Sequence, residues 1–340
     1  MQPVKISRDV AAPWFRARRK LGIDDTIYFG TFEANSGRRH VLTLPHEQTD
    51  GTGVLRHFLR SHRLRDWQES DFPPRPVPGL WQCMRQHQAQ PLAAPPEWQP
   101  RPSLAKSSAL IALASFTVEQ TAQVREVISA SGLSVNVWLL HKAQQCLEAT
   151  LLHSRGGSWF MPVSLRGAIE LPGDEMNHAS GFYFSVPEAA SAAQLQAAMH
   201  AALKRGEHWW LWHQAALVSA AGQWCVDLLF RYFLKQQQHI GTFTTLGEWQ
   251  VDWRGSALPE DSLLWGCPPT SPTHPAAFLW LLCNDRLVLS IKLNPVLGVS
   301  QSGCDALMRA WQTVISDAAG LDSFLPTESP ADQSVEARYG

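Results

Sequence analysis

The chain has 340 residues, 45% of them hydrophobic and 17% charged, with a formal charge of −1. That length holds one large or two ordinary domains with a well-buried core, and the near-neutral balance excludes an overall field for nucleic acid. No apolar run approaches the ~20 residues of a spanning helix, and the charged N-terminus lacks the apolar segment of a signal peptide, so a cytoplasmic protein is expected. Basic residues crowd the start (Lys5, Arg8, Arg16, Arg18, Arg19 and Lys20) and are expected on a solvated helix face. Residues 26–33 and 40–44 read as two strands joined by a turn at Asn35-Ser36-Gly37. The second strand ends at Pro45, which cannot donate a ladder hydrogen bond, and His46 follows directly. Gly51 and Gly53 allow a sharp turn, and Thr52 is positioned to cap the next helix. In that helix Val54, Leu55, Phe58 and Leu59 form the buried stripe, with Arg56, Arg60 and Arg63 opposite.

Prolines then dominate residues 71–107, which read as a crossover linker between a first unit (1–70) and a second (108–325). In the second unit, 108–116 reads as a buried strand. Thr117 and Gln120 form a capping box for a helix to about Ser131, and Ser134 caps another over 135–153. Strands are expected at 159–166 and 181–186, a long helical region at 191–235, and strands near 240–246, 277–283 and 286–293. A helix over 303–318 precedes a polar tail, 326–340, expected to be disordered. The order gives a mixed α/β fold without regular βαβ alternation. No dinucleotide fingerprint, Walker loop or G-x-S-x-G occurs. Six scattered cysteines without C-x-x-C argue against a zinc ribbon or redox pair; Cys146 and Cys225 are expected as buried thiols. Tryptophans near 209–212 are expected in a packed core.

The segment with the most chemical content is H-x-x-x-D-G at His46, Asp50 and Gly51. A histidine at the end of a strand, before a tight turn and a helix, presents an imidazole in a cleft. An imidazole with pKa near ~6.5 suits a general base that strips a proton from a nucleophile. His46-Glu47 with Asp50 at +4 also echoes H-E-x-x-H. However, Pro45 precedes and glycines follow at 51 and 53, so no helix spans 46–50 and no metal site is expected.

HEQTDG (46–51) resembles the active-site motif of the chloramphenicol-acetyltransferase-like superfamily, which includes peptide-synthetase condensation domains and the wax ester synthase/diacylglycerol acyltransferase family. Three further segments resemble it in order. They are the helix pair at 118–151 with its G-L-S-V-N turn, MPVSLRGAIELPGDEMNHASGFYFSVP (161–187, most like the wax ester synthase branch), and FTTLG (243–247). The match runs over roughly 40–320. It implies two chloramphenicol-acetyltransferase-like subdomains with mixed sheets flanked by helices, the N-terminal one reduced, since forty-five residues precede His46 where full-size members have about a hundred.

The resemblance implies an acyltransferase that moves an acyl group from a thioester to a hydroxyl or amine, with His46 as general base and no covalent enzyme intermediate. No cofactor is permanently bound; acyl-CoA or a phosphopantetheine thioester is the co-substrate, and an acyl or peptidyl carrier protein is a candidate partner. Asp50 would pair with Arg166 and, with Gly51, hold the loop. Thr244 stands where the family places a serine hydroxyl and is the candidate oxyanion donor. Asn177 and Gly181 would shape the channel. Arg56, Arg60 and Lys106 are candidates for phosphate contacts, with solvated faces the plainer use. The sequence departs from the pattern at Pro45, where a first histidine is common, and at Thr244-Thr245 in place of Ser-Asn. The shortened first half leaves other readings open: a non-catalytic module that binds a carrier protein or acyl ligand, a cyclising or dehydrating relative, or a homo-oligomer that completes the channel wall.

Overall fold

β2 (Thr26–Glu33) and β3 (Arg39–Pro45) form an antiparallel hairpin, and Ile27, Phe29 and Thr31, at alternate positions of β2, are buried on one face. A computed structural model describes residues 3–64, 67–68, 72–87, 94–99, 110–153, 156–236, 238–321 and 334–336. Before the hairpin come a short strand, β1 (Val4–Lys5), and helix α1 (Ala12–Lys20); after it come α2 (Gly51–Ser61), β4 (Trp67–Gln68) and α3 (Leu80–Gln86). The chain continues through β5 (Leu110–Ser115), α4 (Val118–Ala130), α5 (Val135–Thr150), β6 (Gly157–Ser164), β7 (Ile169–Glu170) and β8 (Ala179–Val186). Three helices follow: α6 (Ala192–Arg205), α7 (Glu207–Ala220) and α8 (Gln223–Gln236). Then come β9 (Gly241–Val251), β10 (Ser262–Cys267), β11 (Ala276–Cys283), β12 (Arg286–Leu293), a 3-10 turn at Pro295–Leu297, α9 (Gln301–Ala319) and β13 (Ser334–Glu336).

Two main sheets result, as the mixed α/β reading requires. The larger runs β5-β12-β11-β9-β6-β8, with β4 joined to the far end of β9. Its pairs mix parallel (β9 with β11, β6 with β9) and antiparallel ladders. The smaller runs β10-β2-β3-β13. Strand β11 is buried on both faces, which explains its unbroken apolar run. Phe278, Trp280 and Leu282 pack toward the core that includes α4, α5, α6 and α9, whereas Leu279, Leu281 and Cys283 pack with Phe29, Leu55 and Trp265 of the smaller sheet and α2.

Polar links cross between the sheets. Ser290 Oγ donates to the Gly266 carbonyl at 2.6 Å. Lys292, 1% exposed, donates to Asp24 Oδ2 at 2.6 Å and stands 4.3 Å from the Tyr28 ring centroid.

Several expectations change. Strand β10 was not anticipated, and it places residues from beyond 108 beside β2. The helical region at 191–235 is three helices, broken at Gly206 and Gly222, both with positive φ. The proline-rich segment contains α3 and a bridge between Trp98 and Leu152; Lys106 lies outside the described residues. Of the polar tail, Ser334–Glu336 form β13, parallel to β3; the rest of 326–340 lies outside the described residues. Asp50, rather than Thr52, caps α2. Cys146 is buried but Cys225 is only half-buried, because α8 is covered mainly by α1 and α7.

Candidate active site

The β2–β3 pairing carries one step past Pro45, because the His46 N–H donates to the Asp25 carbonyl at 2.8 Å. The chain then turns through 46–48 and enters α2. Asp50 caps that helix: its Oδ1 accepts from the Gly53 N–H at 2.8 Å. Gly53 has no space for a side chain, since a Cβ there would lie 2.1 Å from the Glu175 carbonyl oxygen and 2.4 Å from Thr49 Oγ1. Thr49 Oγ1 donates to that same carbonyl at 2.6 Å. A Cβ on Gly51 would meet the Leu246 side chain at 2.6 Å. The turn is therefore sewn to the 171–178 loop on one side and to β9 on the other.

Asp50 and Arg166 meet across this seam. Arg166 Nη1 donates to Asp50 Oδ2 at 2.6 Å, and both side chains are almost wholly buried. The His178 N–H donates to the same oxygen at 2.8 Å. Burial alone would raise the Asp50 carboxyl; the adjacent guanidinium and the donated hydrogen bonds hold it below its ordinary value. Arg166 Nη2 also donates to the Asp174 and Met176 carbonyls at 3.0 and 3.3 Å, so one arginine fixes both the histidine turn and the opposing loop.

His46 is half-buried. Phe15, from α1, stacks face to face on its ring, with centroids 4.0 Å apart and planes 16° from parallel. Burial pushes the imidazole down to about 4, well below the value expected of a base poised for neutral pH. Asn177, 4% exposed, places its amide nitrogen 3.1 Å from His46 Nδ1 and 3.3 Å from the His46 carbonyl oxygen. Asn177 thus touches the histidine directly.

The segment carrying Phe15 is tied down along its length. Asp9 accepts from the Ala11 and Ala12 N–H groups, and burial pushes its carboxyl up to about 6. Arg18 donates to the Asp24 and Thr270 carbonyls, its guanidinium 5.7 Å from the Phe15 centroid; burial lowers it to about 10. Arg16 and Arg19 pair with Glu47, directly after His46. The basic start is therefore split, with Arg18 turned inward and Arg16 and Arg19 on the exposed side.

Thr244 is half-buried in β9. It lies on the strand face opposite Phe243, which belongs to the helix-side core. No hydrogen bond joins it to His46 among the described residues. Gly181 pairs with Pro162 in the β6–β8 ladder, and a Cβ there would lie 2.4 Å from the Phe160 ring, so this glycine answers to packing within the sheet. Arg60 pairs with Asp174 and Glu175, and Arg56 faces Asp174, so both tie α2 to the 171–178 loop. Among the described residues no three or more histidines, cysteines or carboxylates gather as a metal site, and no helix is long and apolar enough to cross a membrane.

The residues missed in the sequence are Phe15, Asp9, Arg18 and the Lys292–Asp24 pair. The aromatic and basic character of α1 was visible, but nothing local says that this helix lies over His46.

No family model matches the sequence, and no curated protein does. Solved structures do share its fold. The cyclization-docking bidomain of the EpoB peptide synthetase from Sorangium cellulosum is 10% identical, with a TM-score of 0.51, over 83% of this chain and 60% of that one. The wax ester synthase/diacylglycerol acyltransferase from Marinobacter aquaeolei VT8 is 15% identical, with a TM-score of 0.50, over 83% of this chain and 68% of that one. The chain thus has the chloramphenicol-acetyltransferase-like condensation fold and spans about two thirds of the length of these neighbours.

Proposed function

We propose that this protein transfers an acyl group from a thioester, on coenzyme A or a carrier protein, to a hydroxyl or amine, with His46 at the reacting centre. The observation that carries this is the buried Asp50–Arg166 pair, which locks the histidine turn against the opposing loop. A scaffold that commits a desolvated ion pair to one turn holds the neighbouring imidazole in a fixed place, as direct transfer between two bound substrates requires. Thr244 is the candidate donor to the developing oxyanion. No covalent enzyme intermediate is needed: the acceptor attacks the carbonyl carbon and the thiol leaves.

Two proton roles are open to His46. As the expected general base it would need a bare ring nitrogen toward the nucleophile. As a hydrogen-bond donor it would stabilise charge on the carbonyl oxygen.

The test is a mass spectrum after incubation with mixed acyl-CoAs and acyl carriers in the presence of alcohols and amines. Wild type gives acylated acceptor, and His46→Ala gives none while folding normally. Equal product from both variants removes the enzyme reading. The Phe15 stack favours one alternative, a non-catalytic module whose ring is covered for good. That reading gains if no acceptor is acylated and the chain co-purifies with an acylated carrier.

A further inference from the structure

We propose that Arg18, Tyr183 and His274 form a subsite for a carboxylate, so that the acceptor acylated beside His46 is an amino or hydroxy acid. This rests on the acyl-transfer reading and names the acceptor class of that site. Strand register brings the rings together. Gly241 of β9 pairs in parallel with Ala276 of β11, so His239 and His274, each two residues upstream, come side by side ahead of the ladder. Their centroids are 4.6 Å apart. Tyr183 of β8, paired with Phe160 of β6, stands 4.3 Å from His239 and 5.8 Å from His274. Trp159, Phe182, Phe184 and Phe243 belong to the helix-side core, so Phe160 and Tyr183 share the opposite face with Thr244. Helix α1 brings a cation to these groups. Phe15 and Arg18, three positions apart, lie on one side of it: Phe15 covers His46, and Arg18 donates to the Thr270 carbonyl in the loop that leads to His274. Burial raises the Tyr183 hydroxyl to about 12 and lowers His46 and His274; the Arg18 charge lowers all three, which sets it near each of them.

Hydrogen-bonding capacity is left over here. Arg18 uses Nη2 on two backbone carbonyls; its Nε is buried without a partner, and among the described residues Nη1 forms no hydrogen bond. No carboxylate pairs with this guanidinium among the described residues, because Asp24 is held by Lys292 and Asp25 by Arg19. Lowered to about 10, Arg18 is still charged at neutral pH. His239, 1% exposed, bonds Ser158 through Nδ1 and leaves Nε2 buried and unpartnered. The Tyr183 hydroxyl and His274 Nε2 also form no hydrogen bond among the described residues. Buried polar groups are ordinarily satisfied, and buried charges are paired. One guanidinium among neutral partners suits a monoanion, and a carboxylate matches its planar N–H groups. A thioester donor is anchored by its carrier arm, whereas a free acceptor has its carboxylate as the handle.

Two measurements on the full chain decide it. In nitrogen-15 NMR of arginine-labelled protein, the Arg18 Nε–H signal, assigned as the one lost in Arg18→Gln, shifts on addition of phenylacetate or butyrate and stays in place with their amides. A signal that ignores both carboxylates, or moves equally with the amides, overturns the subsite. In turnover with mixed acyl-CoAs, common amino acids and 2-hydroxy acids each compete against their own amides. Wild type prefers the acids by roughly 10–100-fold in kcat/KM, the scale of one hydrogen-bonded charge. That preference collapses in Arg18→Gln and narrows in Tyr183→Phe. Equal use of acid and amide by wild type, or an undiminished preference in Arg18→Gln, overturns the acceptor assignment. So does a preference that follows a carboxylate on the donor, read as succinyl-CoA against butyryl-CoA. If Arg18→Gln does not fold, Arg18→Lys serves the assignment and the wild-type competition still decides. If wild type acylates nothing, the acyl-transfer reading falls, and the carboxylate titration alone decides the subsite.

Discussion

The Asp50 carboxylate receives hydrogen bonds from the backbone of Gly53 and His178 and from the guanidinium of Arg166, all in a desolvated seam. Truncating one partner strands the other charge, so Asp50→Ala and Arg166→Ala each should cost roughly 3–5 kcal/mol in urea unfolding. A loss below about 1 kcal/mol would mean that water already reaches the pair. Arg166→Lys should recover little, because an ammonium cannot serve Asp50 and the two loop carbonyls from one plane. Phe15 acts on the histidine by a different route, by excluding water from one face of the ring. Phe15→Ala should therefore raise the His46 pKa from about 4 toward the ordinary imidazole value, as read by NMR titration. An unmoved titration would assign the depression to the rest of the seam.

At the scale of elements, α2 is fixed by its first turn. Gly53→Ala would drive a methyl into the Glu175 carbonyl, which is backbone and cannot swing aside. The substitution should cost several times the few tenths of a kcal/mol of an ordinary exposed exchange, by the overpacking scale of about 1–3 kcal/mol, seen as a lower urea midpoint at unchanged slope. The hairpin, the His46 turn, the capping box at Thr117–Gln120 and the Ser134 cap were all legible, because each rests on residues a few positions apart. Strand β10 was not legible. Its SLLWGC is buried at every position and shows no alternation, so its pattern does not separate it from a core segment of any kind. The Asp50–Arg166 pair was expected only through resemblance, since 116 residues separate the partners. The lid formed by α1 had no local signal at all: its amphipathic pattern says that one face is covered, never by what.

Across the whole molecule, several histidines lie in places hostile to charge. Burial pushes His46, His208 and His239 each down to about 4, and His274 well below its ordinary value. Unfolding restores a pKa near ~6.5, so between about pH 6.5 and 4 the unfolded chain binds more protons, and stability falls as pH drops. Each of the three rings held near 4 should cost roughly 2 kcal/mol by pH 5, from 1.36 kcal/mol per pKa unit. Asp9 works the other way, since its raised carboxyl is penalised when ionised and is relieved as pH falls through about 6. The histidines outnumber it, so the melting temperature should drop steadily from pH 7 to pH 5; a flat profile would mean that these rings are hydrated. Two sheets share one apolar interior, with the Lys292–Asp24 and Asp50–Arg166 pairs spanning the junction, and the candidate chemistry sits at that junction. The most direct measurement is the rate at which free thiol is released from an acyl thioester in the presence of acceptor, comparing wild type with a folded His46→Ala. A fall of about 10²–10⁴-fold is predicted for loss of the central imidazole; equal rates would contradict the assignment of His46 to the reaction.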